Sequence, residues 1–221
     1  MKNVVIIGAS GHAKVIIDIL KRLNDYVIVG IIDVKEKVGQ EVMGHSIIGT
    51  EEILPYLIHE YENLEGVIAI GDNGLRNTVR KKIQEFVPNF TFTSVVDCSA
   101  IIAENVFIGK GVVIMPGVIV NNAASIGNFC ILNTKSSLDH DSFMEDFSSL
   151  APGVTVGGDV KIGRHSAISL GASIIQGVSI GEHTVIGAGA VVVSSIPPYT
   201  VAYGIPAKVI RSRVEGAKHL K

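Results

Sequence analysis

The chain has no tryptophan, only two cysteines and few aromatic residues, 5% of the total. Cys98 and Cys130 make neither a spaced metal pair nor a disulfide framework, which points to a reducing, cytoplasmic setting and to no metal cofactor. Charge is scarce too. Charged residues make up 18% and the net charge is -2, so the basic stripe of a nucleic-acid binder is missing. Also missing is any unbroken apolar run of about 20 residues that would span a membrane. The opening "MKNVVIIGASGHAKVII" is interrupted by Gly8, Ser10, Gly11, His12 and Lys14 and lacks a cleavage-type sequence. It reads as a buried strand and turn, not as a signal peptide. What remains is abundant: 47% apolar residues and 24 glycines in 221 positions. That is enough for one large or two small packed domains rich in tight turns.

The glycines and aliphatics are not scattered. Counting in sixes from Val96 to Val192, all seventeen positions are Val, Ile, Leu or Met. Four residues after each sits mostly something small or β-branched, from Ala100 and Val106 through Ser142 and Ser148 to Ala190. A period of six fits neither a helix nor plain strand alternation. It fits a coil of short flat strands joined by tight turns, with one large residue per face pointing inward. Three faces close one triangular coil, and nearly six coils stack about 4.8 Å apart into a prism roughly 27 Å tall. Glycine and Asn are expected at the turn positions that need φ > 0.

Residues 1–95 follow another pattern. Apolar runs at 3–9, 27–33 and 66–71 read as buried strands. Helical spacing covers 12–23 and 75–86, with a shorter helix at 51–62 interrupted near Pro55, and 90–96 reads as a strand leading into the repeat. Strands alternating with helices imply a small parallel sheet of Rossmann type, whose ligands sit beyond the carboxyl ends of the strands. The loops there are "GASGHAK" (8–14), "IDVKE" (32–36) and "GDNGLR" (71–76). The first is one glycine short of a dinucleotide fingerprint, yet its amides at a helix start suit phosphate or ribose.

"GASGH" near the start, the "[LIV]-G-x4" repeats and the closing "YGIPAKVIR" (203–211) together resemble the sialic-acid O-acetyltransferase-like hexapeptide-repeat family. Its best-understood members are bacterial N-acetyltransferases of nucleotide-linked 4-amino-4,6-dideoxy sugars. The resemblance implies a Rossmann-like nucleotide-sugar-binding domain over 1–95 and a left-handed parallel β-helix over 96–221. It implies a homotrimer, with acetyl-CoA as co-substrate held in the cleft between neighbouring subunits. Ser10, Gly11, His12, Asp33 and Gly71 are then the nucleotide-sugar contacts. Ser149, Leu170 and Ala188 line the pantetheine groove, and Lys208 faces a phosphate of coenzyme A. The family often has two acids where this chain has Asp33 and Val34.

The stretch "SSLDHDSF" (136–143) holds the chemistry-bearing group. Leu138 points inward in the six-residue frame, so His140 projects outward. In the resembling family the catalytic histidine follows an "N-T-x-S" element and precedes an acid, which maps to His140 and Asp141; the second position is more often Glu. Acetyl transfer from a thioester needs a base near neutrality, and imidazole beside a carboxylate fits. An oxyanion donor is expected near Gly157–Gly158, and His165, His183, His45, His59 and His219 are expected on the surface. The functions to weigh are N-acetylation of a nucleotide-activated amino sugar for surface glycans, O-acetylation of a sialic-acid-like sugar, and a non-catalytic nucleotide-sugar scaffold. The nucleotide and the sugar stay open.

Overall fold

A computed structural model describes residues 1–218; His219 lies outside them. The first module is a five-stranded sheet. β1 (Lys2–Ile7), β2 (Tyr26–Ile32) and β5 (Glu65–Ile68) pair in parallel with β1 central. Val4, Val5, Ile6 and Ile7 are all buried, because helices or the second module cover both faces of that strand. α1 (Gly11–Leu23) buries Ala13, Ile16, Ile17, Ile19 and Leu20 and ends on Asn24 in the left-handed conformation. α3 (Asn73–Phe86) starts on Asp72, whose side chain accepts from the Leu75 amide.

Three local expectations are corrected. Pro55 starts a helix instead of interrupting one: a single 3-10 turn at Glu51–Ile53 leads into α2 (Leu54–Glu60) with the proline in its first turn. A hairpin of β3 (Glu41–Val42) and β4 (His45–Gly49) adds to the sheet, giving the order β3-β4-β2-β1-β5. The segment 90–96 is no continuous strand. Phe92 makes one bridge to Gly66, and only Val95–Val96 pairs further. Phe90 and Phe92 turn inward and meet edge to face at 5.2 Å.

From Val95–Val96 to Val191–Val192, seventeen two-residue strands follow at six-residue steps; they are β6 to β22. The inward residue of each is the one the period picked out. Each strand from β6 to β19 pairs in parallel with the strand eighteen residues on, as Ile131 with Ser149 and Ser149 with Ala167. Three sheets result. The first face holds β6, β9, β12, β15, β18 and β21, extended by the hairpin of β23 (Thr200–Gly204) and β24 (Ala207–Ser212). The second runs from β7 to β22 and the third from β8 to β20, again in steps of three strands. The fold is a parallel β-helix behind a small α/β module.

The small residues at the fourth offset do more than save space. Ser142, Ser148, Ser166 and Thr184 are buried, and their hydroxyls hold the corners. Ser142 Oγ donates to the Gly157 carbonyl (2.9 Å) and accepts from the Val160 amide (3.1 Å); Ser166 does the same with Gly181 and Thr184. Glycine fills several left-handed turn positions as expected, among them Gly111, Gly153 and Gly171, and it has a second place as well. The glycines just after the inward residue, such as Gly157 and Gly163, are there because coils stack closely: a Cβ on Gly163 would lie 2.5 Å from the Glu182 nitrogen of the next coil. The left-handed turn residue comes two positions later, and it is often not glycine.

On the corner between the third and first faces those left-handed residues are Phe129, Phe147, His165 and His183, continued by Tyr199. Their rings stack in one ladder with centroids 4.9, 5.2, 4.7 and 5.1 Å apart. His165 and His183 are therefore packed into a column and not loosely on the surface. Burial pushes the His165 imidazole down to about 4, so it joins the stack uncharged. Beside the ladder runs α3.

The module seats itself on the first face and on this corner. Val95, Val113, Met115 and Ile131 of the prism share one core with α1 and the sheet. Arg22 of α1 pairs with buried Asp97. Arg76 of α3, fully buried, donates to the carbonyls of Phe129 (2.8 Å), Phe147 (3.2 Å), Ile70 and Gly71 (3.0 Å each) and to Asn73 Oδ1 (2.7 Å). Burial lowers this guanidinium to about 10, which leaves it charged at neutral pH and pulled on by four carbonyl dipoles.

Candidate active site

His140 stands at the corner between the second and third faces, after the strand Ser137–Leu138. Two interactions fix its backbone. Asp139 Oδ1 accepts from the His140 amide (2.8 Å) and from Asn121 Nδ2 (2.7 Å). Asp141 takes the left-handed turn position, φ 58°, which an Asp tolerates better than most residues. That turn lets adjacent side chains meet: His140 Nδ1 lies 2.8 Å from Asp141 Oδ2. A carboxylate only accepts, so Nδ1 carries the proton and Nε2 keeps its lone pair. The hydrogen bond to Asp141, with Asp139's charge behind it, raises the imidazole above its ordinary pKa. The ring is well exposed, at 60% of its free area. It faces outward with a carboxylate at its back.

Gly158 forms the floor under that ring. A Cβ there would lie 2.5 Å from His140 Cε1 and 2.6 Å from Nε2. The "VGGDV" stretch therefore makes room for the imidazole, and an oxyanion donor from it would be the Gly158 amide. The Gly157 amide is already spent on Ile174 O (2.9 Å) in the ladder. Gly158→Ala tests this reading. The backbone there is not in the left-handed region, so the fold and its Tm hold, while the ring must swing aside. A misplacement of about 1 Å is enough to lower kcat by roughly 10²-fold, read in a steady-state assay beside a melting curve.

Six of the remaining predicted residues, Ser10, His12, Asp33, Gly71, Ser149 and Leu170, line two adjoining cavities. One, of about 280 Å³, lies beyond the carboxyl ends of the module's strands and is lined by Ser10, Asp33 and Gly71 among others. The second, of about 220 Å³, is bounded by His12, Gly71, Asn133, Ser149, Ser169 and Leu170. Gly71 belongs to both, and Arg76 grips its carbonyl. Sequence reasoning missed Arg76; its signal was an arginine seven residues before Ile83, on the inward side of an amphipathic helix. Ala188 stands exposed one coil beyond Leu170 on the same corner, and Lys208 is exposed on β24; neither lines a cavity. Gly11 opens α1 and lines neither cavity.

Two of these groups have definite electrostatics. Burial, then the nearby Arg76 charge, pushes His12 down to about 4, so it is neutral at physiological pH. Its Nε2 is shielded from solvent and has no hydrogen-bond partner among the described residues, and the residue borders the second cavity. Asp33 is busy. Its oxygens accept from the amides of Ala9 (2.6 Å) and Val34 (2.7 Å) and from Lys37 Nζ (2.9 Å). Burial alone would raise its pKa, but these donors outweigh it and hold the carboxylate ionised. It ties the glycine-containing turn to the end of β2 and keeps about one of its four lone-pair sites for a ligand.

His140 lines neither cavity. The module covers the first face and its corner with the third; the second cavity lies along the first face and its corner with the second, while the first cavity is lined by the module alone. The corner that carries His140 is the one opposite the first face, across the whole prism.

Comparison with known proteins follows the same division. Residues 3–83 match the family described as the PglD N-terminal domain. Over 165 residues the chain is 30% identical to GDP-perosamine N-acetyltransferase of Escherichia coli O157:H7, 71% of each chain being covered. It is 33% identical over 118 residues to UDP-N-acetylbacillosamine N-acetyltransferase of Bacillus subtilis (strain 168), covering 52% of each. Among solved structures, a histidine-to-alanine mutant of the Caulobacter crescentus GDP-perosamine N-acetyltransferase, in complex with CoA and GDP-perosamine, superposes with a TM-score of 0.88. It is 34% identical, with 96% of this chain and 98% of that one covered. The acetyltransferase domain of PglB from Neisseria gonorrhoeae, in complex with acetyl coenzyme A, gives 0.86 at 29% identity over 95% and 99%.

Proposed function

Since the chain belongs to the family of nucleotide-amino-sugar N-acetyltransferases, we propose that it moves the acetyl group of acetyl-CoA onto the amine of a nucleotide-linked 4-amino-4,6-dideoxy sugar, with His140 as general base. One observation carries the base assignment: an exposed imidazole whose Nδ1 lies 2.8 Å from the Asp141 carboxylate, which leaves Nε2 as the accepting nitrogen of the neutral ring. The sugar nitrogen attacks the thioester carbonyl carbon, and Nε2 takes the ammonium proton as the C–N bond forms. The tetrahedral centre collapses, the C–S bond breaks, and the departing sulfur takes the proton back. No covalent enzyme intermediate is required.

Residues 1–95 hold the nucleotide sugar in this reading and residues 96–221 bring the acetyl donor. Ser10, Asp33 and Gly71 line the first cavity, where phosphates meet the amides that open α1. Gly11 contributes such an amide. Leu170 and Ala188 make a small, apolar strip down one corner that suits pantetheine, with Ser149 beside it on the first face, and the exposed Lys208 suits a phosphate. His12 sits where sugar and thioester meet.

The distance between cleft and base favours a composite site. Each face of the prism is six residues long, at most about 20 Å, and His140 is on the wrong corner for its own cleft. A neighbouring copy brings its His140 against that cleft, and three copies close the arrangement, a homotrimer. Among the described residues no helix is long and apolar enough to cross a membrane. Acetyl-CoA and nucleotide sugars as substrates place the reaction in the cytoplasm, ahead of surface-glycan assembly.

The test follows release of the CoA thiol with nucleotide 4-amino sugars and with their 4-hydroxy counterparts. Release with the amines alone is expected. Release only with the hydroxy sugars would turn the reading to O-acetylation, and a protein that binds nucleotide sugar but no acetyl-CoA would be a scaffold.

A further inference from the structure

The outer half of the first cavity has chemistry of its own. The sheet order puts β4 beyond β2, so the loop after β4 lies two strand spacings from the phosphate turn after β1, about 10 Å away. That is where a nucleoside whose phosphates sit at Gly8–Ser10 brings its base. The lining there is unusual for a surface. Val34 is 55% exposed and Leu75 46% exposed, and both border the cavity together with Val79. They offer apolar contact to a flat ring. Glu51, on the turn after β4, lines the same cavity with a side chain only 15% exposed, and Lys82 holds its Oε2 at 3.0 Å.

We propose that Glu51 reads the base, and that the base is guanine. This rests on the nucleotide-sugar reading above and adds the nucleotide to it. A carboxylate presents two acceptors side by side and no donor. Guanine alone among the common bases presents two adjacent parallel donors, N1–H and the N2 amino group, on one edge. Uracil and thymine present a single N–H between two carbonyl oxygens, which the carboxylate repels. Adenine and cytosine place an acceptor next to their amino group. The neighbouring acids are engaged elsewhere: Asp33 in the turn with Lys37, and Asp72 Oδ1 in capping α3. Val34 and Leu75 hold the purine from the sides.

The experiment is calorimetric titration of the full-length protein with GDP, UDP and dTDP, without sugar or acetyl donor. Wild type is expected to bind GDP at least 10-fold tighter than the other two. Glu51→Gln replaces one acceptor by a donor, which clashes with guanine and complements uracil. GDP affinity then falls by roughly 10- to 100-fold, the range for a hydrogen bond to a charged group, while UDP affinity holds or rises. Lys82→Met breaks the ion pair but leaves the carboxylate, and the GDP preference persists. Equal binding of all three nucleotides by wild type, an equal loss of GDP and UDP in Glu51→Gln, or a lost preference in Lys82→Met overturns the assignment. The two readings fail separately. A GDP preference without acetyl transfer leaves the base assignment and removes the enzyme, whereas acetylation of a UDP-linked amine at least as fast as of the GDP-linked one does the reverse.

Discussion

His140→Ala lowers kcat by roughly 10²- to 10⁴-fold, the span that general-base assistance contributes, and leaves the KM of both substrates within about twofold. The split follows from position. His140 lines neither cavity, so its loss removes proton transfer and little binding. Its side chain is exposed, so the variant melts with wild type. The pH dependence gives a second signature. Asp141's hydrogen bond, then Asp139's charge, raise the imidazole above its ordinary value. A raised pKa means that protonation sets in at higher pH, and a protonated ring cannot accept the amine's proton. The acid limb of kcat against pH therefore lies above the range of a free histidine. In Asp141→Asn the main raising cause is gone, so the limb moves to lower pH while the plateau falls, because the ring loses both its tautomer lock and its basicity. A limb that does not move would show that the pair does not set the base, and an alanine variant with full kcat would remove His140 from the reaction.

The outward position of His140 was legible because the repeat fixes direction. Once Leu138 is assigned to the interior, two residues further on must project from a corner. The interior is legible for the same reason: a narrow triangular section accepts one large side chain per face and tolerates no slip over seventeen steps. The left-handed turn positions were not legible. Among the described residues thirteen other than glycine have φ > 0, each at a backbone cost of about 1–2 kcal/mol, and on one corner the ring ladder offsets that cost with contacts that exist only between coils. His165 and His183 look like stray surface histidines until their neighbours eighteen residues away are brought alongside. The β3–β4 hairpin was hidden for a different reason. Its two-residue turn is Met43–Gly44, both left-handed, whereas the recognisable signal would be Asn or Asp before the glycine.

The cleft residues were readable one by one from the motif at the start of the chain, but their separation from His140 was not. That separation depends on which face the module docks against, and docking is decided by contacts distant in sequence: Val113 and Ile131 under α1, Asp97 under Arg22, and the Phe129 and Phe147 carbonyls around Arg76. These place the module on one face and leave the catalytic corner opposite. The sequence has a base and a cleft, and the fold keeps them apart within one chain.

Two inactive variants mixed as subunits should therefore recover activity that neither has alone. Ser10→Glu disables the cleft: the position is exposed, makes no side-chain cap bond and lines the phosphate end of the first cavity, so a carboxylate there repels the diphosphate without disturbing the fold. His140→Ala disables the base. Denatured together in equal amounts and refolded into mixed trimers, a cleft and the base facing it come from different chains. About one pairing in four then has an intact cleft facing an intact His140, and the mixture regains about a quarter of wild-type activity. Refolded separately and then combined without exchange, the two stay inactive. Were cleft and base to work within one chain, co-refolding would restore nothing at any ratio, because every chain would still carry one fatal change. Size-exclusion chromatography with light scattering on the same samples checks that three copies assemble. The recovered fraction reads directly how the imidazole reaches its substrate.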